Sequence, residues 1–431
     1  MAVGPATDEY RQILRSLSDR LVAAQKPIRI LDHIKWDSGI QEDFFRHGAK
    51  QLPKITRAYY DNRPLGFEAG AKRQEFHQIE LDIGRELGQY NPLGAIMRRM
   101  CREYIQVVRM LEARGTPDFA ELSQELYGSA GDAFHEGGPT LADLGQSLAN
   151  AISNIDQSEL LKAPPKNIAA ADAVKILQKR INQSFKESEN TVRVKISDGI
   201  EADAAAGADY IKLRSDACFN DRDLRLLEVH EGWVHLGTTF NGGSQPVCTF
   251  LSKGPPSSTI TQEGLAVLVE IITFTSYPSR LKRLANRILA VQLAEQGGNF
   301  LDVYKFYLNQ NIGEQESFAN ASRIFRGSLP DGQPFTKDLS YNKGFIMIYN
   351  YLRLAVRKGM LHRIPMLFCG KTTLEDVRIL AQFVDEGIIA PPRFLPPPFA
   401  DLNGLTAWMC YSNFLNKLDL ARIQDDYAGI L

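Results

Sequence analysis

Residues 226–242 read LLEVHEGWVHLGTTFNG and carry the two histidines on which the interpretation of this chain depends. His230 and His235 flank Glu231, so two imidazoles and a carboxylate lie in one short run. The run nearly matches the HExxH helix of zinc metalloproteases, but it has one more residue between the histidines. On an α-helix, residues four apart lie about 40° apart around the axis, whereas residues five apart lie about 140° apart, which is too far for one ion.

The extra residue therefore predicts a departure from α-helical geometry between the two histidines. A π-bulge, whose hydrogen bonds join residues five apart, would bring both imidazoles to one face, and a helix that ends before His235 would serve equally. Gly232 makes either distortion less costly. The alternative is a regular helix with two partly buried histidines, because short motif matches include false positives.

A candidate third ligand lies downstream in TQEGLA, residues 261–266, which opens the apolar run LAVLVEIITF. A hydrolytic zinc usually has three protein ligands and an open position for water, and two histidines with a glutamate form one such set. Thr261 can cap a helix start, so we expect Glu263 in the first turn, facing the histidines. The alternative for Glu263 is simpler, since the helix dipole favours an acidic residue in a first turn.

Glu270 follows Glu263 on the same face of this predicted helix, among apolar neighbours. A buried carboxylate is costly unless it is paired. One interpretation is that Glu270 accepts the second ring N–H of His230 or His235 and so orients a metal ligand. The other is a salt bridge to a downstream cation, for which the candidates are Arg280, Lys282 and Arg283.

Three motifs together, HEGWVH (230–235), NGGSQP (241–246) and TQEGLA (261–266), resemble the bacterial flavohemoglobin expression-modulating QEGLA-motif family. That family is similar to the animal microtubule-associated tyrosine carboxypeptidases, which act on the C-terminal tyrosine of tubulin. The likeness spans most of the chain, because three further segments match: IRILDHIKWD (28–37), YIKLRSDACF (210–219) and RGSLPDGQPFTKDLSYNKG (326–344).

The resemblance implies an α+β fold, predominantly helical, with a zincin-like metallopeptidase core and a small sheet beside the metal-binding helices. It implies Zn²⁺ as cofactor, with His230, His235 and Glu263 as ligands and Glu231 as the catalytic carboxylate. The implied activity is that of a metallocarboxypeptidase, which removes the C-terminal residue of a peptide or protein. The substrate itself does not carry over, because nothing in this chain shows that it meets tubulin.

Such a reaction needs further donors and cations. Zinc would activate water while Glu231 passes its proton to the leaving amine. Tyr341 is our candidate oxyanion donor, because a tetrahedral intermediate needs a donor besides the metal. A cation must also hold the terminal carboxylate of the substrate, and the candidates are Lys212, Arg214, Arg326 and Lys337. Each of these could instead be an ordinary surface charge, and Tyr341 an ordinary core tyrosine.

Composition limits the class of protein. A chain of 431 residues with 44% hydrophobic and 23% charged residues is an ordinary globular protein, long enough for two or three domains. A net charge of -1 without a Lys/Arg-rich block argues against a nucleic-acid partner. No apolar run is long enough to span a bilayer, which argues against a membrane partner. Five widely spaced cysteines and a polar N-terminus predict reduced thiols and a cytoplasmic location.

Hydrophobic periodicity and proline-rich stretches divide the chain into three parts. Residues 1–165 form a helical N-terminal region that ends at the paired prolines of KAPPKN (162–167). Residues 166–390 form the zinc metallopeptidase core. Residues 391–431 comprise a proline-rich connector, continuing to residue 405, and a C-terminal helix packed on the core.

Within the core, a helix at residues 170–188 precedes two alternating, β-branched segments, 190–200 and 208–219. We expect both to be strands, with an edge strand that holds extended substrate. The stretch 237–260 contains NGG and GPP turns and is interpreted as a long loop that walls the cleft. Helical periodicity resumes from residue 265 to residue 358.

Two functions remain open at this point. The first is a zinc-dependent metallocarboxypeptidase, and the second is a non-catalytic zinc-binding regulatory or scaffolding protein that modulates expression. A structural zinc is normally closed by four protein ligands and needs no further carboxylate beside it. Glu231 therefore favours catalysis.

Overall fold

Helices dominate the first part of the chain. The computed structural model describes residues 7–155, 164–186, 192–198, 200 and 203–429. Proline opens two of the first eight helices, where its missing N–H costs no hydrogen bond. The eight are α1 (Asp8–Gln25), α2 (Ile30–Ile34), α3 (Ser38–Arg46), α4 (Arg57–Asp61), α5 (Ala69–Leu87), α6 (Pro92–Glu112), α7 (Pro117–Tyr127) and α8 (Leu141–Ile155).

Two small sheets follow, together with α9 (Ala170–Ser184). The strands are β1 (Ile168–Ala169), β2 (Arg193–Ser197), β3 (Ala204–Ala206), β4 (Tyr210–Arg214) and β5 (Cys218–Phe219). β1 pairs with β5 in an antiparallel ladder, and the larger sheet has the order β2-β4-β3. β4 is parallel to β2 and antiparallel to β3, so β3 forms one edge.

The predicted strands are confirmed by β2 and β4, although residues 190, 191 and 199 lie outside the described part of the chain. The edge strand β3 was not predicted, because an alanine-rich segment lacks the β-branched residues typical of strands. The helix predicted at 170–188 ends at Ser184, and residues 187–188 are not described.

The histidine run forms a continuous helical segment whose hydrogen-bond register changes twice. α10 (Asp221–Leu227) leads into a π-helix, Glu228–Leu236, which continues as α11 (Gly237–Gly243). A 3-10 helix, Thr249–Ser252, and α12 (Pro256–Ile272) follow. The prediction of a long loop over 237–260 was therefore wrong. α11 prolongs the helix of the histidines through the NGG sequence, and Pro256 begins α12 because its backbone angle suits a first helical position.

The remainder of the chain is helical, as periodicity predicted, but its C-terminal part differs from the prediction. The sequence predicted a connector up to residue 405 and one terminal helix after it. The structure instead has two helices that begin within that connector, α18 (Pro397–Ala400) and α19 (Leu402–Leu415). Prolines occupy the first turn of α18, where the rigid backbone favours a helix start. The elements are α13 (Pro278–Glu295), α14 (Phe300–Asn309), α15 (Glu314–Phe325), α16 (Ser340–Arg357), α17 (Val377–Asp385), α18 (Pro397–Ala400), α19 (Leu402–Leu415) and α20 (Leu420–Tyr427), with 3-10 turns at Thr336–Leu339, Leu361–Arg363, Pro365–Phe368 and Leu374–Asp376.

The largest hydrophobic core joins the N-terminal helices to the helices around the histidines. Leu14 of α1 and Phe76 of α5 belong to one buried cluster with Val229 of the π-helix, Leu265 of α12 and Leu380 of α17. The division at residues 165 and 390 stays a prediction, and residues 162–163 of its first boundary lie outside the described part. All five cysteines are unpaired. No helix among the described residues combines the length and apolarity needed to cross a membrane.

α12 and α16 cross in direct backbone contact. A Cβ atom added to Gly264 would overlap the backbone of Gly344, and one added to Gly344 would overlap the carbonyl of Ile260. Glycine is therefore required on both helices. This close crossing brings the start of α16, which carries Tyr341, next to Glu263.

Candidate metal centre

The π-helix brings the two histidines together. Hydrogen bonds between residues five apart put His230 and His235 on one face, and their ring centroids lie 4.8 Å apart. The predicted departure from α geometry is confirmed. At the junction with α11, hydroxyl groups of Thr238 and Thr239 donate to the carbonyls of Val234 and His235 at 2.7 Å each. Side chains thus satisfy backbone groups where the register changes.

Glu263 completes a three-residue cluster. Its Oε2 atom lies 3.5 Å from His230 Nε2 and 3.6 Å from His235 Nε2, and the three candidate ligand atoms lie within 4.8 Å of one another. Ligands on a zinc tetrahedron with bonds of about 2.0–2.1 Å lie about 3.3–3.4 Å apart. Glu263 Oε2 is buried and has no hydrogen-bond partner among the described residues. The donor set, two imidazoles and a buried carboxylate oxygen without a partner, is of the kind that zinc binds.

Glu263 does not lie in a first helical turn, so that part of the sequence prediction was wrong. α12 begins at Pro256, about two turns earlier, and Thr261 is buried inside the helix. The helix start is capped from α6, because Glu103 accepts the backbone N–H and hydroxyl of Ser257 at 3.0 and 2.8 Å. A cap supplied by a distant helix leaves no local sequence signal.

Glu270 makes both of the contacts proposed for it. His230 Nδ1 lies 2.6 Å from Glu270 Oε1, and Arg280 donates to both carboxylate oxygens at 3.0 and 3.1 Å. Although burial raises the pKa of a carboxyl group, Arg280 and His230 outweigh it and lower the pKa of Glu270 to about 2. A charged acceptor at Nδ1 keeps the proton there, so Nε2 of His230 is left as an electron-pair donor facing Glu263.

Glu231 is held against the sheet edge. Its Oε2 atom accepts the backbone N–H of Ala206 in β3 at 2.8 Å. The backbone N–H of Gly207 donates to the carbonyl of Tyr210, and the N–H of Arg214 donates to the carbonyl of Asp203. These bonds indicate that alternate residues along β3 form hydrogen bonds with β4. The backbone groups of Ala206 therefore face outward. Glu231 lies between the histidines in sequence, yet its carboxylate is positioned by a strand.

The electrostatics of the cluster favour positive charge. Burial opposes protonation of His230, but Glu263 and Glu270 outweigh it and raise its pKa to about 10. Burial likewise disfavours the charged form of Glu263, yet Lys337 and the two histidines hold its pKa well below the ordinary value. A bound cation would satisfy the same carboxylates.

Lys371 is a site residue that sequence reasoning missed. Its Nζ atom donates to the His235 carbonyl, Thr238 Oγ1 and Gln262 Oε1, each at 3.0 Å. These bonds join the π-helix to α12. Burial lowers the pKa of Lys371 to about 7, against the opposing effect of Glu263 and Glu231. An isolated lysine after α16 carries no signal that could have identified it.

Two predicted residues of the segment 326–344 lie at the cluster. The Tyr341 ring stacks on the His230 ring at 6.3 Å between centroids, with an angle of 26°. Lys337 Nζ lies 3.4 Å from Glu263 Oε1 and 5.8 Å from the Tyr341 ring centroid. Arg287, which sequence reasoning did not consider, covers the Tyr341 ring at 4.6 Å. The Tyr341 ring thus has His230 and two cations as neighbours.

The other candidate cations have contacts elsewhere. Arg214 pairs with Asp203 at 3.1 Å and with Asp216 at 2.6 Å. Lys212 Nζ lies 5.4 Å from the Tyr210 ring on its own strand. Arg326 is buried, with its guanidinium 5.6 Å from the Phe335 ring. Of the four candidates, Lys337 is the one that contacts Glu263.

Comparison with known families identifies the family to which this chain is similar. A family model described as microtubule-associated tyrosine carboxypeptidase matches residues 42–417, which is most of the chain. The matched part contains both histidines, Glu263 and Tyr341, so the family resemblance noted in the sequence is confirmed. The search of curated proteins gave no match.

Proposed function

The chain belongs to the microtubule-associated tyrosine carboxypeptidase family, and on that premise we propose that it is a zinc-dependent carboxypeptidase with a zincin-like core. Its substrate is the C-terminus of a peptide or protein. Water adds to the last peptide carbonyl, the C–N bond breaks, and the terminal amino acid leaves. The main support is the three-residue cluster together with Glu231. Glu231 is not one of the candidate ligands, and it lies on the same π-helix as the two histidines.

His230, His235 and Glu263 are the residues that would hold zinc. When bound, zinc supplies Lewis acidity, which activates water near neutral pH and polarises a carbonyl group. Glu270 and Arg280 orient His230 and keep its Nε2 atom directed at the cluster. Lys371 holds the carbonyl of His235 and so stabilises the end of the π-helix.

Glu231 is the general base in this proposal. Its carboxylate accepts a proton from the attacking water and delivers it to the leaving amine, so no covalent intermediate with the protein forms. The hydrogen bond from Ala206 N–H fixes one of its oxygens and leaves the other for this proton transfer. The outward-facing backbone groups of β3 other than the Ala206 N–H would pair with extended substrate beside the same carboxylate.

Tyr341 and Lys337 complete the site. The Tyr341 hydroxyl has no hydrogen-bond partner among the described residues, and its ring is held beside His230, which suits a donor to the developing oxyanion. In this proposal Lys337, the candidate cation beside Glu263, binds the terminal carboxylate of the substrate.

The test combines metal analysis with peptide digestion. We expect the wild-type protein to bind one zinc ion per chain and to release a C-terminal residue, detected by mass spectrometry. Glu231→Gln should retain zinc and lose about 10²–10⁴-fold in kcat. Glu228→Gln is the matched control, because Glu228 lies on the same π-helix but pairs with Arg180, and it should keep its activity.

Two outcomes would contradict the proposal. Equal activity of the wild type and Glu231→Gln would remove Glu231 as general base. Zinc binding that is lost in His235→Ala, without cleavage of any peptide by the wild type, would favour the non-catalytic regulatory or scaffolding role.

A further inference from the structure

α19 is apolar on two opposite faces. Its inner face packs into the largest core through Leu405 and Met409, both of which are buried. Its outer face repeats large apolar residues at intervals of three and four, as one side of a helix does, and the repeat continues into the turn that follows. This outer face consists of Trp408 (54% exposed), Tyr411 (71%), Phe414 (61%), Leu415 (48%) and Leu418 (45%).

The outer face of α19 is large enough for a protein interface. The exposed parts of its five side chains amount to roughly 600 Å², since one aromatic side chain offers about 150–250 Å². The largest apolar patch on a typical monomer covers about 300–600 Å², and patches of this size mark interaction sites. Two copies joined through this face would bury roughly 1,200 Å², above the about 1,000 Å² expected of a biological interface.

α20 leaves this face open. None of the residues of α20, Leu420–Tyr427, is buried. Leu420, Ile423 and Tyr427 follow one another at intervals of three and four, so α20 has an apolar side of its own. The apolar surface of α19 therefore continues onto a second exposed helix.

α19 runs antiparallel to α16. Asn413 donates to the carbonyl of Arg353 at 3.3 Å. Asn416, further along α19, donates to the hydroxyl of Tyr349, which lies earlier on α16, at 3.1 Å. The beginning of α19 therefore lies toward the C-terminal end of α16.

The two ends of the outer face differ in charge. The C-terminal end of α16, beside the beginning of α19, carries the exposed residues Arg357 and Lys358. The other end of α19 leads into α20, which carries the exposed residues Asp425 and Asp426. If two α19 helices pack antiparallel, the acidic end of each copy meets the basic end of the other.

The charges around α19 and α20 do not suit a membrane surface. Helices that lie on anionic lipid carry Lys and Arg on their polar side. Residues 401–427 contain four aspartates against Lys417 and Arg422. This balance favours a protein partner with basic residues, which a second copy supplies at the end of α16.

We propose that the outer face of α19 binds the same face of a second copy of this chain, with the two α19 helices antiparallel about a two-fold axis. In a two-fold interface the same patch is used on both subunits, so the apolar faces cover each other. The arrangement also forms two equal contacts between the acidic α20 of one copy and the basic end of α16 in the other. This inference goes beyond the proposed carboxypeptidase function and does not depend on it.

The first test is sedimentation velocity on the full-length protein across a dilution series. We expect the wild type to sediment with the mass of two chains. Tyr411→Glu should raise the dimer Kd by about 30-fold or more, because a charge would lie at the centre of an apolar interface. Its melting temperature as a single chain should stay unchanged, since Tyr411 is mostly exposed. Leu81→Glu on α5, where Leu81 is 53% exposed, is the matched control and should remain dimeric.

The second test reverses the charges at the two ends. One variant combines Asp425→Lys with Asp426→Lys, and the other combines Arg357→Glu with Lys358→Glu. Each alone places like charges against each other and should weaken its own dimer. A mixture of the two variants should restore the dimer, because both contacts of the mixed pair then join opposite charges. A contact within one chain could not be restored by mixing.

Three outcomes would overturn the proposal. The wild type could sediment as a single chain throughout the series, or Tyr411→Glu could dimerise as tightly as the wild type. Mixing the charge variants could also fail to restore the dimer, which would exclude the antiparallel pairing. A wild-type single chain that binds vesicles of phosphatidylcholine and phosphatidylserine, and loses this binding in Tyr411→Glu, would assign the outer face of α19 to a lipid surface instead.

Discussion

Nδ1 of His230 lies 2.6 Å from Oε1 of Glu270, a residue with no exposed surface. The bond crosses from the π-helix to α12 and decides which ring nitrogen faces Glu263. Because Arg280 binds the same carboxylate, the orientation of one candidate ligand depends on a buried ion pair.

Substitution of Glu270 by glutamine should weaken metal binding as well as the fold. The neutral amide is a poorer acceptor for His230, so zinc affinity should fall about 10–100-fold in competition with a chelator. Arg280 loses its buried partner, which should lower the free energy of unfolding by about 3–5 kcal/mol in urea. Glu9→Gln, at an exposed position on α1, is the control. Unchanged zinc affinity would show that Glu270 serves the fold alone.

The QEGLA motif depends on glycine because of the crossing with α16. In Gly264→Ala the new methyl group would overlap the backbone of Gly344, and no flexible side chain can move aside. We expect a loss of about 3 kcal/mol or more in the free energy of unfolding. Gly404→Ala, also in a helix but with open space around it, should be neutral or slightly stabilising. Similar melting temperatures for the two variants would contradict this explanation.

Gly232 on the π-helix packs closely against α9. A Cβ atom there would lie 2.5 Å from Ile181 Cδ1, the far end of a side chain that can be shortened. Gly232→Ala should therefore destabilise by about 1–3 kcal/mol, and Ile181→Val should recover part of that loss in the double variant. A double-mutant cycle by urea denaturation measures the coupling. Additive effects would point to the backbone of Gly232 as the cause.

Asp338 should make stability depend on acid pH. Burial raises the pKa of an aspartate, but Arg323 and Arg287 outweigh it and hold the pKa of Asp338 well below its ordinary value. The unfolded residue binds its proton at about pH 4, so this stabilisation is complete above that pH and is lost as the pH falls further.

Asp338→Asn should consequently lower the free energy of unfolding by about 3–5 kcal/mol near neutral pH. The difference from the wild type should shrink below about pH 4. Asp331→Asn, at an exposed residue in the preceding loop, should follow the wild-type profile. A constant difference across the pH range would show that the charge of Asp338 is not its source.

Local spacing by itself determined the main feature of the candidate site. Two histidines five positions apart, such as His230 and His235, cannot bind one ion from an α-helix, because their side chains lie about 140° apart around the helix axis. The departure from α geometry therefore followed from arithmetic, and the π-helix confirmed it. Glu263 was proposed as third ligand from its motif, although its predicted place in a first turn was wrong, because the cap on α12 comes from Glu103.

Tertiary structure alone decided which distant groups reach the cluster. Ala206 holds Glu231, and Lys371 holds the His235 carbonyl. None of these residues lies in a recognisable pattern, because each acts through a contact far away in sequence. Periodicity and motif spacing report on neighbours along one helix, whereas the contacts that orient the site depend on how separate elements pack.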